Sequence, residues 1–466
     1  MRAYARKKTG ETKMNRDVFE KLPVPKAVMS LAVPSVLSML VSIIYNMADT
    51  FFVGQTNDPN QVAAVSLTMP LFFIFLAVGN IFGIGGGTFI SRSLGAKQYD
   101  KIKSISSSCL YMSIAAAAVL TAVFLIFMTP ILHLMGTSEA TEGFTRSYLF
   151  FLSLGIVFSV ESIMLSNIIR AEGAAKTAMF GMILGSVVNI ILDPIMILAM
   201  GLGVSGAAIA TVIGNMCAVT VYLLYFRRKD TVLSIAPRYF TLKGIWGPIF
   251  IIGLPASVNN ILMGISNLVL NNVLSSYGDY PVAAMGVALR ANMLVVMLQM
   301  GFSIGIQPLI GYSYGAKNYT RMKKAIGFTM ICTTVIGVAL TIAYYFHTEF
   351  IITAFIKDET VIMHGVKMLR ALMVAGPLLG ILFTFTFSFQ AMGRAIPSLL
   401  LSVARQGLFF LPILFIANRT WGLDGVIYTQ PVTDLFTMAV AAVMFFVIMH
   451  RVNKQAQSET EAAAHR

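Results

Sequence analysis

The sequence predicts an all-α polytopic membrane protein of twelve transmembrane helices, arranged as two parallel six-helix bundles, and three observations carry that prediction. Of its 466 residues 57% are hydrophobic and only 12% are charged, too few charges to cover a soluble globule of this size. Apolar segments of about 20 residues, the length a helix needs to cross a bilayer core, recur along nearly the whole chain. The third observation is internal: laid against itself with a shift of roughly 220 residues, the chain repeats a polar loop in register.

The elements follow in order. Residues 1–26 form a basic, polar tail with no apolar run that a signal peptidase would use, so the chain is expected to insert through its own first helix. Helices are predicted over 27–53, 61–90, 106–128, 146–169, 177–200 and 205–226, which complete a first lobe, 27–226. A polar linker, 227–244, opens on Arg227-Arg228-Lys229-Asp230. The second lobe, 245–450, holds helices over 245–275, 282–312, 324–346, 361–389, 396–418 and 422–449, and a tail of 451–466 follows. Several exceed the minimum span, which permits tilt.

The net charge of +14 raises the question of nucleic acid, and the placement of Lys and Arg answers it. Of the 34, 27 lie in the two tails, the linker and the loops after every even-numbered helix, counting Lys324 at the start of the ninth helix, whereas residues 54–60 and 276–281 hold none. By the positive-inside rule the basic loops and both termini face the cytoplasm of a cell membrane. The charge therefore reports topology, and no nucleic-acid partner is expected.

The repeat is sharpest where Leu94-Gly95-Ala96-Lys97-Gln98-Tyr99-Asp100-Lys101-Ile102-Lys103 lies over Tyr314-Gly315-Ala316-Lys317-Asn318-Tyr319-Thr320-Arg321-Met322-Lys323. The same shift pairs Val62-Ala63-Ala64 with Val282-Ala283-Ala284, and Ala171 and Gly173 with Ala391 and Gly393. A shift of 221 pairs Pro34 with Pro255 and Asn46 with Asn267. Six helices per copy is an even number, so both copies enter the membrane in the same direction, as parallel repeats. Two such bundles suit the movement of cargo by alternating access.

Enzymatic chemistry finds no support. Cys109, Cys217 and Cys332 sit in apolar runs without a C-x-x-C, the five histidines fall at helix ends or in tails, and neither H-E-x-x-H nor G-x-S-x-G occurs. No cofactor is expected.

What remains is a set of polar residues inside the apolar segments of the first lobe. A carboxylate near a bilayer centre costs about 2.5–3.5 kcal/mol on insertion scales, so it usually faces a wet cavity or a partner. Tyr45 and Asp49 stand at i, i+4 on the first helix, and Asn189 and Asp193 at i, i+4 on the fifth. Pro194 removes a backbone donor and is expected to loosen the helix beside Asp193. Thr211 and Asn215 on the sixth helix, with Glu161 and Asn167 on the fourth, complete the set. Carboxylates with amide and hydroxyl oxygens suit either Na+ at Asp49, Asn189, Asp193 and Thr211 or a shared proton.

The second lobe departs from this pattern. Leu270 or Asn271 falls where Asp49 would recur, and apolar residues around Leu411-Pro412-Ile413 fall where Asp193 would. It carries Arg290, which is expected to snorkel, and Arg405 and Asp434, expected to form an ion pair.

Three motifs in this order carry a family resemblance: Tyr45-x3-Asp49-Thr50-x-Phe52-Val53-Gly54, Gly85-Gly86-Gly87-x8-Gly95-Ala96, and Asn189-x3-Asp193-Pro194 followed by Gly206-Ala207-Ala208-x2-Ala210-Thr211. From about residue 25 to 450 the chain resembles the multidrug and toxic compound extrusion (MATE) transporters. The resemblance implies a multidrug efflux antiporter that exports organic, often cationic, compounds as H+ or Na+ enters, acting as a monomer. It carries the coupling site to Asp49, Asn189, Asp193 and Thr211, extends it to Tyr45 and Asn167, and makes Pro34 the bend of the first helix. Glu161 is the residue expected to meet a positive substrate in the cavity. Asn259 and Asn260 on helix 7 and Gln390 on helix 10 stand where some branches place acids, which points to a MepA-like/DinF-like bacterial branch. An alternative cargo, a lipid-linked saccharide moved by a related flippase, would want cations deep in the cavity, where only Arg290 and Arg405 are available. The 29 Met and 33 Phe supply adaptable apolar faces for varied cations.

Overall fold

A computed structural model describes residues 13–56 and 58–464, and the tail before residue 13 lies outside the described residues. Among them there are helices, turns and bends but no strand, as a chain that must satisfy its backbone polar groups within a bilayer requires. The spans are α1 (Val24–Gly54), α2 (Pro59–Gly95), α3 (Tyr99–Ile126), the bent pair α4 (Glu139–Leu154 with Ile156–Ala171), α5 (Ala175–Ala199) and α6 (Val204–Tyr225). The second set is α7 (Trp246–Ser275), α8 (Asp279–Gly315), α9 (Tyr319–Phe346) and the bent pair α10 (Glu359–Val374 with Gly376–Ala391). A final run, Ala395–Glu459, passes through Gly422, whose φ of 58° and ψ of −137° divide it into α11 before and α12 after. Among the described residues twelve segments result.

Local signals set the helix ends. Asp58 accepts from the Asn60 amide at 3.0 Å and Pro59 opens α2, a capped start with proline where a missing N–H costs nothing. The Gly-Ala-Lys elbows turn on lysine: Lys97 has φ 59° and Lys317 φ 57°, the two non-glycine residues with positive φ among those described. Gly173 and Gly393, also paired by the repeat, have φ 94° and 76°. The bends fall at matching places as well, 51° in α4 next to Gly155 and 48° in α10 next to Ala375. Both copies thus share backbone conformation at their elbows, turns and bends.

Among the described residues the chain forms two compact units, one of 13–22 with 37–257, the other of 23–36 with 258–464. The lobes expected from sequence, 27–226 and 245–450, therefore exchange the first halves of α1 and α7. Two glycines related by the repeat explain the exchange. In the first unit a Cβ at Gly85 of α2 would lie 2.3 Å from the Ile249 carbonyl oxygen of α7, and the Ser257 hydroxyl donates to the Ala77 carbonyl at 2.7 Å. In the second, a Cβ at Gly305 of α8 would lie 2.6 Å from the Ala32 Cα of α1. Only glycine permits backbones so close. Pro34 and Pro255 lie within three residues of the points where α1 and α7 pass from one unit to the other.

Candidate functional site

The site is assembled in the first unit from the end of α1 and from α4, α5 and α6. Val53, Tyr148, Leu152, Ile197, Val204 and Ala207 form one buried apolar cluster that joins these four helices. It holds the polar residues of α1 and α5 in a common interior.

Asn189 and Asp193 are 2% and 0% exposed. The Asn189 Nδ2 donates to Asp193 Oδ1 at 3.3 Å and to Thr211 Oγ1 at 3.4 Å, joining three of the expected residues across α5 and α6. Immediately after Asp193 the helix widens into a π-turn, Pro194–Ala199, closed by the Met200 amide on the Ile195 carbonyl at 2.8 Å. Proline cannot donate within the α-ladder, and the wider turn is the helix's response. The loosening expected from Pro194 is present.

Asp49 is partly buried on α1, within electrostatic reach of Asp193, and Tyr45 and Tyr148 lie within reach of both carboxylates. Tyr148 was missed in the sequence because nothing distinguishes it there from any other packed aromatic. Three buried oxygens have no hydrogen-bond partner: Asp49 Oδ1, Asn189 Oδ1 and Asp193 Oδ2. Buried acceptors left unpaired are costly, and two neighbouring carboxylates cost more. Together with Thr211 Oγ1 they are hard oxygens of the kind that take a cation such as Na+, or a proton shared between the acids.

Other expected members lie apart from this group. Asn167 donates to the Ile163 carbonyl of its own helix at 2.9 Å, and its side chain lies against Gly83. Asn215 donates to Ser159 at 3.1 Å, tying α6 to α4. Glu161 is 3% exposed and accepts from the Ser113 hydroxyl of α3 at 2.5 Å, while its Oε2 has no partner. Pro34 lies in the part of α1 that belongs to the second unit, with the helix continuous through it.

In the second unit Arg405 and Asp434 form the expected ion pair, Nε to Oδ1 at 2.8 Å. Gln430 donates to the same oxygen at 3.0 Å, and the guanidinium stands 5.2 Å from the Phe383 ring. Arg405 lies in a second π-turn, Ala404–Leu408, here without proline. Amides occupy the rest: Gln307 donates to Gln390 at 2.9 Å, and Gln390 to Ser398 at 3.1 Å.

Sequence comparison decides the family. The MatE family profile matches residues 34–195 and again 255–416, two copies offset by the 221 residues that pair Pro34 with Pro255. The chain belongs to the MatE family. Among MatE relatives it is 35% identical over 435 residues to the multidrug export protein MepA of Staphylococcus aureus strain N315, covering 93% of this chain and 96% of that protein. The corresponding protein of Staphylococcus saprophyticus is 33% identical over the same length. A crystal structure of a MATE protein in complex with MaL6 superposes with a TM-score of 0.90 at 26% identity, covering 95% of this chain and 99% of that one. An outward-facing multidrug resistance MATE family transporter of the MOP superfamily gives 0.89 at 26%, with 96% and 99% covered. The MatE repeat accounts for the paired elbows, and the fold is that of a multi-pass membrane transporter.

Proposed function

We propose that this chain exports chemically varied organic compounds, cations among them, by alternating access, with H+ or Na+ entering in exchange at Asp49, Asn189, Asp193 and Thr211. The cargo class rests on the MepA relatives, named as multidrug export proteins and matched over nearly their whole length. The coupling site rests on one observation: three buried oxygens on Asp49, Asn189 and Asp193 without a partner in a closed interior. A group taken up there and released on the other side would satisfy them in one state and leave them open in the other. The protein is placed in the cell membrane with the Gly-Ala-Lys elbows and both termini inward, on the strength of the basic loops.

The flippase reading weakens on Arg405, whose charge Asp434 already pairs at 2.8 Å, leaving the exposed Arg290 of α8 as its remaining candidate for a pyrophosphate. The test is transport of a fluorescent cation in reconstituted vesicles, with pH and Na+ gradients imposed separately. Wild type is expected to concentrate the dye against one of the two gradients, and Asp49→Asn and Asp193→Asn to lose that response while remaining inserted. Undiminished gradient-driven transport in both variants would remove the coupling assignment.

A further inference from the structure

Outside the polar site, the first unit carries a groove of about 490 Å³ between α3, α7 and the linker, within the usual size range of small-ligand sites, roughly 300–1,000 Å³. Its floor is made shallow-sided by Ala115 and Ala116, two small residues of α3 set between Tyr111 and Val119. Trp246 and Phe250 of α7, stacked with ring centroids 5.3 Å apart, form one wall. Phe240 and Leu242 of the linker close the end nearest the Gly-Ala-Lys elbow, and they remain 42% and 48% exposed.

The linker is fixed in this position. Ser106, Ser107 and Ser108 hydroxyls donate to the carbonyls of Ser234, Ala236 and Thr241 at 2.8, 2.9 and 2.7 Å, and the Tyr111 hydroxyl donates to that of Ile235 at 2.9 Å. Tyr111 therefore offers the groove its ring, with its polar atom already used. The lining contains no charged side chain.

The rim is different. Arg238 and Lys103 stand over the same Tyr239 ring, 4.9 and 5.4 Å from its centroid, and the exposed Lys243 follows Leu242 directly. Asp100, 3.6 Å from Lys103, is an acid beside them. A cationic cargo would meet repulsion at this rim and no acid inside, so the charge selects an anionic amphiphile. The apolar groove beneath a basic collar, with a tryptophan at the boundary, matches a lipid whose phosphate sits at the membrane surface and whose tail runs along α3.

We propose that this groove binds an anionic phospholipid, one acyl chain lying on Ala115 and Ala116 and the phosphate held by Arg238, Lys243 and Lys103. Bound there, the lipid would brace the linker against α3.

Trp246 is a built-in reporter, since the chain has two tryptophans and Trp421→Phe leaves it alone. That variant is reconstituted with brominated phosphatidylglycerol in plain phosphatidylcholine, or with the labels reversed, at equal mole fraction. Trp246 fluorescence is expected to be quenched more by the brominated phosphatidylglycerol. Arg238→Gln with Lys243→Gln is expected to reduce the preference about fivefold per cation; if that pair fails to fold, the exposed Lys243→Gln alone makes the comparison. Equal quenching by both lipids, a preference unchanged by loss of the cations, or relief of quenching by added ethidium would each overturn the proposal. The last outcome would make the groove a path for cargo.

Discussion

Asp193 in the first unit and Asp434 in the second are both buried acids on a membrane helix, yet their surroundings oppose one another. Asp434 is closed, with Arg405 and Gln430 on one oxygen and a neutral pair as the result. Asp193 is open: one oxygen takes a 3.3 Å bond from an amide, the other takes none, and a second acid lies within reach. The repeat sets Asp193 over the apolar stretch Leu411-Pro412-Ile413, while the two copies keep the same backbone at their elbows, where Lys97 and Lys317 both have positive φ. The difference teaches that the architecture requires no acid at these places, and it is the ground for proposing that the open acids of the first unit take a cation or a proton.

The largest effect that would break this comparison is on transport. Asp193→Asn is expected to lower gradient-driven dye export at least about tenfold with protein level unchanged, because one unpaired buried charge is the difference between the two proton or cation states. Export at the wild-type rate, measured by dye accumulation in cells, would equate the two units.

In the second unit the expected loss is stability. Asp434→Ala strands a mostly buried guanidinium and is expected to destabilise by about 3 kcal/mol, seen as a lower Tm in detergent. Arg405→Met with Asp434→Leu is expected to recover most of that and to leave coupling intact. Loss of coupling in the stable double variant would make the ion pair part of the transport machinery.

How much of this was legible follows from range. Asn189, Asp193 and Pro194 are near neighbours, so spacing and the missing proline donor predict their association and the widened turn. Arg405 and Asp434 were readable because charges deep in a membrane have few alternatives. The exchange of the first halves of α1 and α7 was not readable, since each helix is continuous and only the contacts of Gly85 and Gly305 reveal where it packs. Glu161 illustrates the same limit, because Ser113, which engages it, lies 48 residues earlier with nothing to mark the pair. Glu172 was overlooked altogether, although it is 4% exposed and accepts from Tyr225, Thr231 and the Val232 amide at 2.6, 2.7 and 2.5 Å. Its partners lie in α6 and the linker, beyond any local pattern.

Smaller effects sharpen the comparison. Thr211→Val keeps both acids and removes one oxygen from the first-unit site, and is expected to weaken ion dependence about fivefold, read as a shift of the half-maximal H+ or Na+ concentration. Glu172 gives the smallest. Burial pushes its carboxyl above the ordinary range, against the opposing pull of its hydrogen bonds. A raised value means the folded contact is favoured when Glu172 is protonated: its contribution is full below the ordinary carboxylate range and is lost as pH rises through the folded value. Hydrogen exchange of residues 231–236 is expected to quicken with pH beyond the chemical rate, and Glu172→Gln to remove that excess. An excess that persists in the variant would assign the pH effect to another group.

The exchanged half-helices also bear on how such a chain can be divided. A cut in the linker yields two polypeptides that look complete by sequence, each with six membrane spans. Each unit, however, counts among its packed parts an arm encoded by the other polypeptide: residues 23–36 in one case and the stretch from Trp246 to Ser257 in the other. Fragments 1–236 and 237–466 expressed separately are expected to be degraded, and to accumulate and export dye only when made together, because each supplies a strut the other lacks. Although the chain is a tandem duplication, its working subunit is the pair.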